Sequence, residues 1–139
     1  MLSKRLEQVA SMVTKGNIIA DIGTDHGYVP IYLVEKGICP KAYAMDINQG
    51  PIESAIKNIE NYGLSEKIQA IKSNGLEKLE PEKADTIIIA GMGGELIVNI
   101  LENGLAKLEN CSRPVKELVL SPHKRGDLVR KYLEEHKWH

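Results

Sequence analysis

The sequence I-I-A-D-I-G-T-D-H-G-Y-V-P, residues 18–30, decides the fold that we predict for this chain. An apolar run reaches an acid at Asp21, and Gly23 and Gly27 follow before Pro30 stands where a helix would begin. This order is typical of a β-strand that runs into the first turn of a nucleotide-binding α/β sheet.

The acid inside the turn favours one class of ligand. Asp25 lies between Gly23 and Gly27, where a dinucleotide-binding turn would have its second glycine. A pyrophosphate would have to approach that carboxylate, which repels it. S-adenosylmethionine (SAM) has no phosphate, and it carries an ammonium and a sulfonium. On charge grounds the turn therefore favours SAM over NAD.

The composition is that of one soluble globular domain, residues 1–139, with 42% hydrophobic and 27% charged residues. The longest apolar runs are too short to cross a bilayer, and no Cys/His spacing resembles a metal site. Cys39 and Cys111 are isolated, which favours reduced thiols in a cytoplasmic protein. We therefore expect neither a membrane nor a metal as a partner.

The charges are unevenly spread along a chain of net charge −1. Residues 35–110 hold 8 Lys/Arg and 12 Asp/Glu, whereas residues 113–139 hold 7 and 4. The basic end is either a solvated helix face or a surface that binds RNA, and charge alone favours the former.

Hydrophobic periodicity and turn residues predict strands that alternate with helices. The predicted strands are 18–22, 42–47, 68–71, 86–90 and 117–120, and the predicted helices are 3–13, 30–36, 50–61, 94–102 and 127–136. This order predicts an α/β fold with a doubly wound, mainly parallel sheet. In the third helix, the stripe expected to be buried consists of Ile52, Ala55, Ile56 and Ile59.

Open parallel sheets bind ligands at the carboxyl ends of their strands. Asp46 ends the second strand, where a carboxylate can accept both ribose hydroxyls in NAD and SAM enzymes alike. Asn74, in the turn Ser73–Gly75, could read an adenine edge. The glycines of Gly91–Gly94 leave an open floor for a flat ligand. The alternatives are loop capping for the acids and tight turns for the glycines.

Other polar residues lie at the same edge. Ser121, Pro122 and His123 end the fifth strand, and His123 is a candidate for contact with a base, although a lone exposed histidine is more often incidental. His26 and Tyr28 flank the turn, although packing is an alternative for both and the favoured one for Tyr28.

The carboxylate of SAM needs either a cation or amide donors. The basic side chains among the first 34 residues are Lys4, Arg5 and Lys15. We assign the role to Arg5 because its guanidinium forms a bidentate fork.

Four pieces of the chain, in this order and spacing, resemble the bacterial tRNA adenine(22)-N1 methyltransferases. They are L-S-K-R-L-E-x-V-A, D-I-G-T-D-H-G-Y-V-P, N-G-L and I-A-G-M-G-G-E-L-I, within Leu2 to about Trp138. The resemblance implies a Rossmann-like SAM domain that methylates N1 of an adenine in tRNA. It implies cofactor contacts at Asp21, Gly23, Asp25, Gly27, Asp46, Asn74 and Gly75, to which we add Arg5, Ile47 and Gly91. The expected substrate rim is Gly91, Met92, Gly93, Gly94, Ser121 and Pro122.

The chain departs from that family at its end. Members usually have Q-P-N after the fifth strand, where this chain has Ser121-Pro122-His123. The family also continues with two further strands and a helical extension thought to help hold tRNA. We therefore expect a fragment that ends after the fifth strand and its helix, with an exposed edge strand able to self-associate.

The chemistry that the resemblance implies needs no metal. N1 of neutral adenine attacks the sulfonium methyl directly, with N1, carbon and sulfur in line. The candidates for catalysis are Asp25, His26, Tyr28 and His123, with Asp25 placed to stabilise the cationic product ring. Two alternatives remain: a class I methyltransferase for a small molecule or protein, and a nucleotide-binding module without catalysis.

Overall fold

Strands and helices alternate in the structure, a computed structural model that describes residues 2–138. The strands are β1 (Ile19–Ile22), β2 (Ala42–Asp46), β3 (Ile68–Lys72), β4 (Thr86–Ala90) and β5 (Glu117–Ser121). The helices are α1 (Lys4–Ser11), α2 (Tyr28–Glu35), α3 (Gln49–Asn61), α4 (Gly94–Glu109) and α5 (Gly126–Glu135). The predicted order of elements is confirmed.

The five strands form one sheet in the order β3-β2-β1-β4-β5, and every neighbouring pair is parallel. The chain winds outward from β1 in one direction and then returns to add β4 on its other side. This reversal makes the carboxyl end of β1 a topological switch point, where such sheets open a crevice. The predicted doubly wound fold is confirmed.

Two apolar layers cover the two faces of the sheet. On one face, Ile19 of β1 and Ile88 of β4 pack with residues of α1, α2 and α3. On the other face, Ala20 of β1 and Ile87 of β4 pack with residues of α4 and α5. The central strands β1 and β4 are buried along almost their whole length because both of their faces are covered.

The predicted end of α4 at residue 102 is wrong, since the helix continues to Glu109. Its buried stripe runs on through Leu105 and Leu108. Residue 104 has no room for a side chain, because a Cβ there would come within 2.6 Å of the Leu76 Cβ. The tight packing accounts for a glycine inside the helix.

Two further predictions are corrected. Helix α2 begins at Tyr28, two residues before Pro30, because Gly27 takes the N-cap position with a φ of 78°. Proline still fits there, since the amides of a first helical turn have no helical partner. Ile56 is 41% exposed, whereas the other three predicted residues of the α3 stripe are buried. The remaining element ends agree with the predictions to within two residues.

A buried carboxylate fastens the amino ends of the two central strands. Asp85 accepts the Ile18 amide at 2.8 Å and a bidentate pair from Arg113 at 2.8 and 3.1 Å. The Lys116 ammonium lies 3.8 Å away. Burial alone would raise the pKa of Asp85, but these partners outweigh it and hold that pKa below its usual range.

We expect Asp85→Asn to lower the free energy of unfolding by about 1–3 kcal/mol at neutral pH, because it leaves Arg113 without its charged partner. Urea denaturation followed by circular dichroism measures this. Glu60→Gln, on the exposed side of α3, is the matched control and should leave the midpoint unchanged. Equal midpoints for the two variants would contradict the role given to Asp85.

Candidate functional site

A cleft of about 560 Å³ opens at the carboxyl ends of β1, β2 and β4. This volume lies within the range of small-molecule sites. The cleft brings together most of the residues that the sequence singled out: Arg5, Asp21, Gly23, Asp25, His26, Tyr28, Asp46, Ile47, Asn74, Gly75, Gly91 and Met92.

The turn after β1 is strongly bent. Gly23 and Gly27 have φ values of 77° and 78°, and Asp25 between them has a φ of 58°. Such angles suit glycine, and they are uncommon for other residues. The amides of Gly23 and Thr24 both donate to the Met45 carbonyl, at 2.8 and 2.9 Å. These two bonds attach the start of the turn to β2.

Asp46 attaches the middle of the turn to the end of β2. Its side chain is buried, one carboxylate oxygen accepts the Asp25 amide, and the other accepts the Asn48 amide, both at 3.1 Å. Each carboxylate oxygen can accept a further hydrogen bond. The carboxylate is thus held in one orientation and can still accept two hydroxyl groups from a ligand in the cleft.

Helix α3 supports the far end of the turn. The Asn58 side-chain nitrogen Nδ2 donates to the His26 carbonyl at 2.9 Å, and the Ser54 hydroxyl lies 2.7 Å from His26 Nδ1. A Cβ at Gly27 would come within 3.2 Å of the Ala55 Cβ. Sequence reasoning missed Ser54 and Asn58, although they lie four residues apart and therefore share one face of the helix.

Two acids besides Asp46 contribute to the charge of the cleft. Asp21 is buried and accepts the Thr24 hydroxyl at 2.9 Å. Burial raises the pKa of Asp21 to about 7, the Thr24 hydrogen bond opposes the shift, and the nearby Asp46 adds to it. Asp25 is largely exposed, and its carboxylate lies 3.7 Å from His26 Nε2. The cleft therefore favours a cationic group over a phosphate.

Sequence reasoning also missed the apolar wall of the mouth, where Leu96 and Ile100 of α4 line the cleft together with Leu6 of α1. Ser73 shapes the loop after β3, because its hydroxyl donates to the Gly75 carbonyl at 2.8 Å and accepts the Lys78 amide at 3.0 Å. Neither feature has a motif that would reveal it.

The expected substrate rim lies beside the cleft. Of its predicted residues, Gly91 and Met92 line the cleft. The structure places Gly93, Gly94, Ser121, Pro122 and His123, together with Gly27, outside the lining. Gly93 and Gly94 instead adjoin the loop after β5, to which main-chain hydrogen bonds attach the glycine turn.

Arg5 reaches the cleft from α1. Its guanidinium nitrogens lie across Gly91, 3.5 Å from where a Cβ of that residue would be. Because 3.5 Å is an ordinary van der Waals separation, the guanidinium lies beside Gly91 without crowding it. This position puts the positive charge on the side of the cleft opposite β2.

Residues 2–138 include no group of three or more His, Cys, Asp or Glu side chains arranged to hold a metal ion. In the same part of the chain, no helix is long and apolar enough to cross a membrane.

Comparisons with known proteins agree with this geometry. The family model "Methyltransferase domain" matches residues 2–139. The chain is 40% identical over 137 residues to the tRNA (adenine(22)-N(1))-methyltransferase of Bacillus subtilis, covering 99% of this chain and 56% of that protein. The chain therefore spans little more than half the length of this relative.

Two solved structures that contain a bound ligand are also similar to this chain. A candidate tRNA (m1A22) methyltransferase of Streptococcus pneumoniae, in complex with S-adenosyl-L-methionine, has a TM-score of 0.91 at 50% identity, covering 98% of this chain and 62% of that one. TrmK of M. capricolum, in complex with S-adenosyl-homocysteine (SAH), has a TM-score of 0.85 at 38% identity, covering 98% and 58%.

The raised pKa of Asp21 predicts a particular pH dependence of stability. Between pH 3.8 and about 7, the folded chain keeps a proton on Asp21 that the unfolded chain releases. The contribution of Asp21 to the free energy of unfolding therefore falls as pH rises through this window, by roughly 1.4 kcal/mol for each pH unit.

We expect Asp21→Asn, which cannot ionise, to gain stability relative to the unaltered chain as pH rises from 4 to 7. Urea denaturation of both proteins at several pH values measures the difference. A difference that stays constant with pH would show that Asp21 titrates normally in the folded chain.

Proposed function

The chain belongs to the methyltransferase-domain family, and from this premise we propose that it is the SAM-binding part of an enzyme that methylates N1 of adenine 22 in tRNA. The cleft fits SAM, since its acidic turn and buried carboxylate suit a ligand with a ribose and cationic groups. The proposed compartment is the cytoplasm. The relatives named above support the choice of tRNA as substrate.

The orientation of Asp46 is the observation that carries the proposal. Both of its oxygens are held by main-chain amides, so the carboxylate is prepared to accept the two ribose hydroxyls of a nucleoside. The exposed side chain of Ile47 follows it along the cleft, where it would pack on the adenine. Asn74 and Gly75 line the same cleft and would contact the base edge.

The other half of the cleft suits the amino-acid end of the ligand. Arg5 would bind the carboxylate, and the buried Asp21 would accept a hydrogen bond from the ammonium. An ammonium near Asp21 would also favour its ionised form. A phosphate that approached the turn Gly23–Gly27 would be repelled by the carboxylate of Asp25, which lies within that turn.

Bound SAM supplies an electrophilic methyl group on a sulfonium. The chain's own contribution is to position the adenine, which requires that N1 lie in line with the transferred methyl. Gly91 and Met92 border the cleft and would form the floor beneath that base, with Gly93, Gly94, Ser121 and Pro122 beside it.

The residues proposed for catalysis have different roles. Asp25, at the mouth, would stabilise the positive charge that the adenine gains. His26 would position Asp25, since its ring nitrogens face Ser54 and Asp25. The Tyr28 ring lies 5.2 Å from that of His26 and would pack against the base. His123, close to the glycine turn, would contact the nucleotide from the other side.

Calorimetric titration with SAH tests the cofactor assignment. We expect micromolar binding by this chain, loss of binding in Asp46→Ala, and no binding of NADH. Binding of NADH in place of SAH would favour a dinucleotide-binding module and overturn the proposal.

Methyl transfer tests the substrate. With labelled SAM, incorporation into tRNA that is lost when adenine 22 is replaced by guanine is the expected result. Equal labelling of both tRNAs would contradict the target nucleotide. Labelling of a protein or a small molecule in a cell extract, without labelling of tRNA, would favour a methyltransferase of another class.

The support of the turn by α3 gives a further prediction. We expect Asn58→Ala to weaken SAH binding about five- to tenfold, because loss of one hydrogen bond of about 1 kcal/mol loosens the turn that carries Asp25. Asn61→Ala, on the same helix and exposed, is the matched control and should bind normally. Equal affinities of the two variants would show that α3 does not shape the turn.

A further inference from the structure

The loop after β5 is built against the glycine turn that follows β4. The Gly91 amide donates to the Ser121 carbonyl, the His123 amide to the Met92 carbonyl, and the Gly94 amide to the Lys124 carbonyl, at 3.1, 3.0 and 2.8 Å. Gly93 and Lys124 are paired as in a parallel sheet. The two loops therefore form one rigid rim beside the cleft.

Arg125 fixes the shape of this rim. It adopts a left-handed conformation with a φ of 55°, and its carbonyl lies where a Cβ of Gly94 would overlap it. Its guanidinium makes a bidentate pair with Asp127 and lies 3.5 Å from Glu95. The charge of Arg125 is therefore compensated within the protein.

Lys124 differs from the neighbouring Arg125 in the surroundings of its charge. Its side chain lies across Gly93, with Cε 3.2 Å from the position of a Cβ at that residue, and His123 Cε1 lies 3.9 Å from the same point. Both side chains are exposed. Within residues 2–138, Lys124 makes no ion pair. The Lys124 side chain thus lies over the glycine turn, and no carboxylate of the described residues pairs with its ammonium.

We propose that Lys124 binds a backbone phosphate of the RNA next to the target nucleotide. The inference rests on the proposed function, because it takes the glycine turn as the floor beneath the base. A base turned out into the cleft leaves its flanking phosphates at the rim. An ammonium is a point charge suited to phosphate, and such contacts position the nucleic acid without reading its sequence.

The neighbouring residues favour this use of the rim. Gly93 and Gly94 carry no side chain that would keep the RNA backbone away from Lys124. Lys124 also lies within the basic part of the chain, residues 113–139, which hold 7 Lys/Arg and 4 Asp/Glu. An ammonium without a charged partner at this rim suits a polyanion such as an RNA backbone.

The test is the salt dependence of tRNA binding, measured by fluorescence anisotropy with an unmodified tRNA transcript and this chain. Each phosphate contact adds to the slope of log K against log salt concentration. We expect Lys124→Gln to reduce the magnitude of that slope by about 1, and Lys124→Arg to retain it. Lys41→Gln, just before β2 at the opposite end of the sheet, is the matched control and should retain it as well.

Titration of each variant with SAH separates this inference from the proposed function. Lys124→Gln should bind SAH as the unaltered chain does, which shows that it is folded. An unchanged slope in Lys124→Gln, an equal reduction in Lys41→Gln, or an absence of RNA binding by the unaltered chain would overturn the inference. Failure of every protein to bind SAH would instead overturn the cofactor assignment, since the RNA slopes are measured without it.

Discussion

The site depends on the hydrogen bond between the Asp25 amide and the Asp46 carboxylate. This bond joins the turn after β1 to the end of the neighbouring strand, so that one carboxylate both shapes the turn and faces the cleft. The turn needs such support because Asp25 adopts a left-handed conformation that is uncommon for residues other than glycine. Main-chain bonds to Met45 and side-chain bonds from α3 hold it on either side.

The sheet topology explains why this turn is accessible. With β1 between β2 and β4, the chain leaves the sheet in opposite directions on the two sides of β1, and a crevice remains between the departing loops. The buried faces of β1 and β4 make its base rigid, and Asp85 fastens the same strands at their amino ends. The structure thus combines a rigid base of the cleft with polar residues at the carboxyl ends of the strands. Such an arrangement can hold two reactants in a fixed relative position.

Local sequence patterns made much of the fold and of the candidate site predictable. The residues Asp21, Gly23 and Gly27 mark the strand and its turn, and the apolar run of β4 was predicted with its observed ends. The length of α4 was not predictable, because the close approach of Leu76 that accounts for a glycine inside the helix is a contact between distant parts of the chain. The support of the turn by Ser54 and Asn58 was missed for the same reason, since these residues lie 28 and 32 residues along the chain from His26, which they contact.

The proposed function requires that Asp46 and the turn it holds form the nucleoside half of a SAM site. A crystal structure of this chain with SAH would decide whether they do. We expect both ribose hydroxyls on the Asp46 carboxylate, with the Asp25 amide still bound to it and the sulfur directed towards Gly91. A ribose bound elsewhere, or an Asp46 carboxylate turned away from the ligand, would contradict the proposal.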